Sequence, residues 1–217
     1  TVFGILIILL CVQIFDMWRF FTKFNPFVPP ELIFPQTHIT SFIKNTNGID
    51  RFWGHKGANI EANFATQYQI FSLEGYDPLY PKRYGELIQS SKDGKFISQF
   101  TDNTRSDAVI SQAEEFTYPK QKILNLLGVK YFLDKTENGS TEKTFPPEIF
   151  KKIYTDNGWY IYENLHVLPR VFIAGDYKTF TSSKEFEKIF FHKTFDPKKT
   201  ILLEEKSIGE NRKGSAC

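Results

Sequence analysis

The chain is poor in the residues that build specialised sites. It holds only 2 cysteines, 1 methionine and 4 histidines in 217 residues. Two cysteines cannot frame a disulfide scaffold, least of all when Cys11 lies in an apolar run and Cys217 is the last residue. Zinc and redox spacings are missing, and His38, His55, His166 and His192 are isolated in sequence, so no metal is implied. There is no triad, P-loop or dinucleotide fingerprint, and Gly54, Gly57 and the distant Gly75 make no phosphate loop. Blocks of like charge are also lacking. With 27 basic against 25 acidic residues the formal charge is +2, whereas nucleic-acid binding demands a concentrated basic face. The sequence thus implies no nucleic-acid partner and no cofactor, and it offers no catalytic residue.

What the sequence does contain is an apolar start and a globular remainder. From Val2 to Phe15 there is no charge, and Gln13 is the only strongly polar residue. The basic leader and small-residue cleavage site of a signal peptide are not there. At ~1.5 Å per residue the run rises about 21 Å, short of a ~30 Å hydrocarbon core. It reads as the last part of a transmembrane helix of a longer protein. Asp16, Trp18, Arg19, Phe20, Phe21, Lys23 and Phe24 follow, the aromatic and cationic mixture found where a helix leaves a bilayer. The alternative is a buried core helix, which would have to explain a run with no polar face. The expected organisation is a membrane helix over 1–24, a Pro-rich juxtamembrane spacer over 25–35 with Pro26, Pro29 and Pro30, a soluble domain over 36–206 and a polar tail over 207–217.

The soluble part reads as α+β with a mixed β-sheet and flanking helices. Thr37 to Lys44 has helical character, Ile49 to Trp53 is strand-like, Gly54 to Asn63 is a polar loop, and Tyr68 to Leu73 alternates like a strand. A helix is expected from Pro81 to about Ser90 and another from Pro119 through Ile123, Leu124 and Leu127, closed by Gly128. Val129 to Leu133 is a buried strand, and Lys135 to Thr144 an exposed loop. Residues 92–118 form an irregular excursion. Lys152–Thr155 and Trp159–Tyr162 flank Asp156-Asn157-Gly158 as a hairpin, in one sheet with Val129–Leu133 and Val171–Ala174. Ser182 and Glu185 have capping-box spacing, and Thr200 to Leu203 is a last strand.

Three polar groupings stand out as candidate binding sites. The loop Arg51 to Asn63 sets Arg51, His55, Lys56, Asn59, Glu61 and Asn63 near aromatic Trp53, Phe64 and Tyr68, a mixture suited to a sugar or phosphate. Its plainer reading is that Asn59 and Asn63 cap backbone in a buried loop. Tyr76 and Asp77 precede Pro78, with Arg83 and Tyr84 close behind; Asp77 can cap the turn, and Arg83 can pair with Asp77 or Glu86. Arg170 can hold Glu163 in an ion pair or bind phosphate. Asn138-Gly139-Ser140 matches a glycosylation acceptor, a pattern common by chance.

Several segments occur in a recognisable order: Phe15 to Phe21 with Asn25-Pro26-Phe27, Ala62-Asn63-Phe64 through Gly75-Tyr76-Asp77-Pro78-Leu79 and Arg83-Tyr84, Leu126 to Tyr131, and Tyr162-Glu163-Asn164 with Leu168-Pro169-Arg170. In these the chain resembles the C-terminal part of YfhO-like bacterial membrane proteins, which are similar to polytopic glycosyltransferases that use lipid-linked sugars. The resemblance implies upstream transmembrane helices, a bacterial cell-membrane location and an extracytoplasmic domain on the outer face. It also implies a polyprenyl-phosphate-linked sugar and a cell-envelope acceptor as partners beside the lipid bilayer. The acidic residues such enzymes use would lie upstream of Thr1, so this stretch would not itself be catalytic. A tethered, non-catalytic sugar- or polymer-binding module and a purely structural domain remain alternatives. Charge does not orient the span, because Arg19, Lys23 and Lys44 are offset by Asp16 and Glu31.

Overall fold

An apolar run without a polar face is stable only away from water, and α1 (Val2–Phe24) is such a helix. In the computed structural model, which describes residues 2–24, 28–60, 63–75, 80–96 and 109–205, none of its 23 residues is buried. At ~1.5 Å per residue it rises about 35 Å, enough for a ~30 Å hydrocarbon core. It is long and apolar enough to cross a membrane. The chain divides into two units, Thr1–Thr37, which contains α1, and His38–Cys217.

The second unit is α+β. Its main sheet has five strands in the order β2-β1-β3-β5-β4, formed by β1 (Arg51–Gly54), β2 (Phe71–Ser72), β3 (Val129–Lys135), β4 (Phe150–Asp156) and β5 (Trp159–Asn164). β1 runs parallel to both β2 and β3, while β3–β5 and β5–β4 are antiparallel. Helices α2 (His38–Thr46), α3 (Phe64–Tyr68), α4 (Lys82–Gln89) and α5 (Tyr118–Leu126) belong to the same unit. Because successive strand residues point to opposite faces, the central strands feed two cores. Trp53 and Phe132 enter one with Ile88, Ile123, Leu124 and Phe150, and Phe52, Tyr131 and Leu133 enter the other with Ile39, Ile43 and Ile161. Strands covered on both sides read as largely apolar runs, and Val129 to Leu133 is one, interrupted only by the partly buried Lys130. Phe132 meets Trp53, Phe116 and Phe150 edge-on at 5.7, 6.0 and 4.8 Å.

Local signals explain much of this. The β4–β5 hairpin turns on Asn157 and Gly158 at φ 43° and 76°, the two positive values its turn type needs. Gly128, at φ 69°, ends the α5 turn. Ser182 Oγ accepts from Glu185 N at 3.3 Å while the Glu185 carboxylate accepts from Thr181 N and Oγ1 at 2.8 Å each, so the box forms with its back bond one residue early. The helix it starts, α6 (Ser183–Phe190), joins β6 (Asp176–Phe180) to β7 (Thr200–Glu204).

Four expectations are corrected. Val171–Ala174 is not a strand: Val171 and Ile173 are 84% and 95% exposed, and the strand lies further on at β6, which pairs with β7 in a separate two-stranded parallel sheet. Apolar β-branched residues supply propensity but need a free edge, and none pairs with them here. Tyr68–Leu73 is not one strand either; α3 runs to Tyr68, Gln69 turns at φ 59°, and β2 is only Phe71–Ser72. The segment Lys135 to Thr144 is less open than expected, since β3 reaches Lys135 and Thr144 is 2% exposed. Arg170 does not hold Glu163, as described below.

Candidate functional site

β1 is followed in sequence by β2 on one side, and the chain then returns to form β3 on the other side of β1. In an open parallel sheet, the crevice beyond the carboxyl ends of two such strands is where ligands bind. The loops leaving β1 and β3 meet there. His55 N donates to Leu133 O at 2.9 Å, and Asn138 Nδ2 donates to His55 O at 2.9 Å. Gly57 N donates to Asn138 Oδ1 at 3.3 Å. The buried Asp134 carboxylate accepts from Asn138 Nδ2 at 2.7 Å and from Ser140 Oγ at 2.9 Å. Asn138 thus serves as an internal clamp between the two loops. Lys56 adopts a left-handed φ of 47°, unusual for a side chain of that size. Gly54 is needed outright, because a Cβ there would overlap Asn59 Cα, Ala58 O and Asn59 N.

Two buried titratable groups face this corner. His55 is fully buried, its ring 5.8 Å from those of Trp53 and Phe145, and neither ring nitrogen has a hydrogen-bond partner among the described residues. Burial, then the positive Lys120, lowers its pKa to about 4, with Lys56 adding to the effect and Asp134 and Gln112 opposing it. The ring is therefore a neutral imidazole near pH 7. Lys120 is 1% exposed, and its ammonium lies 4.8 Å over the Trp53 ring. Its acceptor among the described residues is Ala113 O at 3.2 Å. Burial, then Lys56, lowers its pKa to about 8. Trp53 Nε1 donates to Glu74 Oε1 at 2.8 Å, and burial raises the Glu74 pKa although that bond opposes it.

Over the corner runs a strap, residues 109–117, with neither helix nor strand. Ile110 and Phe116 anchor it in the core, while Gln112, Ala113 and Glu114 between them are exposed. Lys56 N donates to Gln112 Oε1 at 2.7 Å, and Lys56 Nζ pairs with Glu114 Oε1 at 3.3 Å.

The structure divides the other candidate residues. His55 and Lys56 come together; Asn59 is exposed on the same loop, and Asn63 stands at φ 72° as the N-cap of α3, with no side-chain cap bond. Arg51 lies at the opposite end of β1, about 10 Å away at ~3.3 Å per residue. There Arg51 Nη1 donates to Leu127 O at 2.7 Å, and burial, then Arg170, lowers its pKa. Arg170 Nη1 donates to Ile49 O at 2.6 Å, and its guanidinium lies 5.2 Å from the Phe71 ring centre. Glu163 instead faces Lys130 at 3.9 Å. Arg83 does not pair with Glu86: it meets Glu204 Oε2 at 2.5 Å on the rim of a cleft of about 380 Å³ that Phe96, Phe180 and Phe186 also line. Lys82 faces Glu86. Tyr76, Asp77 and Glu61 lie outside the described residues.

Sequence reasoning missed Lys120, Gln112 and Asp134. One signal for Lys120 was present. It sits three and four residues before Ile123 and Leu124, hence on the apolar face of α5, where a lysine is out of place unless something receives it. No protein-family model, curated protein or solved structure matches this chain.

Proposed function

We propose that this chain is the membrane-anchored, extracytoplasmic part of a bacterial cell-envelope protein of the YfhO-like, glycosyltransferase-like kind, and that its α+β domain binds the polar part of a lipid-linked sugar or of the envelope acceptor. The observation that carries the reading is a 23-residue apolar helix with no buried residue in a chain whose remaining unit has two packed cores. Such a helix is stable in lipid and costly in water. The corner at the ends of β1 and β3 supports the binding half of the proposal, with donors from Lys56 and Lys120 and an imidazole that has no partner among the described residues.

The chain contributes binding, in this reading, and chemistry belongs to helices upstream. The carboxylate at the corner, Asp134, is buried and already holds Asn138 and Ser140, so it is poorly placed to act as a base. That feature equally favours a tethered, non-catalytic binding module. Two measurements separate the outcomes. Carbonate extraction of cells carrying the tagged protein should leave it in the membrane pellet, and external protease should cleave the domain in intact spheroplasts; release into the supernatant would reject the anchor. Replacing Lys56 and Asn59 with alanine in the full-length protein should lower envelope-polymer glycosylation while leaving expression intact. Unchanged glycosylation would remove these residues from the site.

A further inference from the structure

The strap does more than cover the corner. Three of its four successive exposed residues each place one oxygen on a donor of the crevice: Gln112 Oε1 on Lys56 N, Ala113 O on Lys120 Nζ, and Glu114 Oε1 on Lys56 Nζ. Beneath them lies the fully buried His55 ring, with no hydrogen-bond partner on either nitrogen among the described residues. Three oxygens from one short segment, converging on two lysines and a backbone N–H, have the donor demand of a tetrahedral oxyanion. With Glu114 lifted away, two lysine charges stand against the one Asp134 carboxylate, whose oxygen is turned to Asn138 and Ser140, so the corner is left net cationic and suited to an anion. The anchors Ile110 and Phe116 are buried on either side of the exposed stretch, so the middle can lift without disturbing the core.

We propose that the corner formed by Lys56, Lys120 and His55 is a binding site for a phosphate group, and that Gln112, Ala113 and Glu114 occupy it as an internal substitute which the phosphate displaces. The exchange gives the buried donors an acceptor with full charge in place of one carbonyl, one amide and one partly solvated carboxylate. Lys120 is the discriminating residue, because its ammonium has one acceptor among the described residues and lies between the strap and Trp53. The proposal rests on the reading above in assigning a ligand to this corner, and it adds the ligand's chemistry and its competitor.

The test uses the full chain in lipid nanodiscs and follows amide hydrogen exchange by mass spectrometry. Adding inorganic phosphate to about 10 mM, with chloride as the ionic-strength control, should speed exchange across 109–117 and leave β3 unchanged. A second arm replaces soluble phosphate with phosphatidic acid in the nanodisc, against phosphatidylcholine alone. A response to the lipid only assigns the phosphate to a headgroup; a response to the soluble ion assigns it to a free ester. The double variant Gln112→Ala, Glu114→Ala changes only exposed residues and should bind roughly tenfold more tightly, having lost two competing bonds. Lys120→Met should lose the response, with its melting curve checked to show that it folds. No change in strap exchange with either phosphate source, in both wild type and the double variant, would overturn the proposal. Membrane extraction and envelope glycosylation are read separately, so that failure would be distinguishable from failure of the functional reading.

Discussion

Helix α5 carries two buried lysines two residues apart, and they are treated in opposite ways. Lys122 donates to Tyr118 Oη, His192 O and Phe195 O at 3.1, 3.2 and 2.9 Å, filling all three N–H groups, and lies 5.0 to 5.3 Å from the rings of Tyr118, Phe190 and Phe195. Lys120 reaches Ala113 O and the face of Trp53. Burial lowers both to a pKa of about 8. Similar shifts with unequal satisfaction separate a structural cation from one with fewer acceptors among the described residues. Lys122 ties α5 to the turn after α6, while Lys120 belongs to the corner at the end of β1.

The harshest way to break the contrast is to destroy one side of it. Gly54→Ala drives a Cβ into the backbone of Ala58 and Asn59, and should cost about 4 kcal/mol, near the upper end for one substitution. Urea unfolding of the detergent-solubilised chain would show this, with the Lys122 cage as the last region to lose protection. Next comes the pair Lys122→Met and Lys120→Met. The first empties a three-bond cage and leaves Phe195 O without its donor, while His192 O keeps Tyr118 Oη, and should cost about 3 kcal/mol; the second removes an under-served charge and should cost no more than about 1 kcal/mol. Equal losses would show that the two lysines do the same job.

The pH dependence sharpens the comparison from the side of His55. When folded, the imidazole stays neutral down to a pH of about 4, whereas unfolded it takes a proton near 6.5. The unfolded state therefore binds more protons between those values, and stability falls as the pH drops through them. The loss amounts to about 2 kcal/mol between pH 7 and pH 5. His55→Phe should flatten that segment of the stability curve relative to wild type. The smallest effect is a control in the other sheet. Ser182→Ala removes the cap bond to Glu185 N and should cost about 1 kcal/mol, without altering the acid response of the corner.

What could be read in advance was local. The Asn157-Gly158 turn, the apolar α1 run, the Gly128 stop and the Ser182 cap each depend on a few neighbouring residues, and each appears. Val171–Ala174 had strand propensity, but pairing depends on an edge the segment itself does not encode, and the chain pairs β6 with β7 instead. The α+β class and mixed sheet followed from element order. The candidate loop was half legible. Its polar residues marked the end of β1, yet treating Arg51 to Asn63 as one cluster ignored that a strand carries its two ends apart. Lys120, Asp134 and the strap reach the corner from remote positions, and only the sheet topology brings them in.

The strand order also has a temporal side. β4 and β5 are joined by a two-residue turn, but Arg51 of β1 pairs with Val129 of β3. Contacts between such distant residues carry a large loop-closure cost and form late. Pulse-labelled exchange during refolding should accordingly protect Trp159–Asn164 before Arg51–Gly54. During synthesis, at ~5–20 residues per second, β1 waits several seconds for its central partner to emerge. For that interval Phe52 and Trp53, which later supply both cores, have only the partners already made, such as Ile43 and Leu73, and lack Tyr131, Phe132 and Leu133, so the nascent chain is most in need of chaperone shelter before its sheet can close.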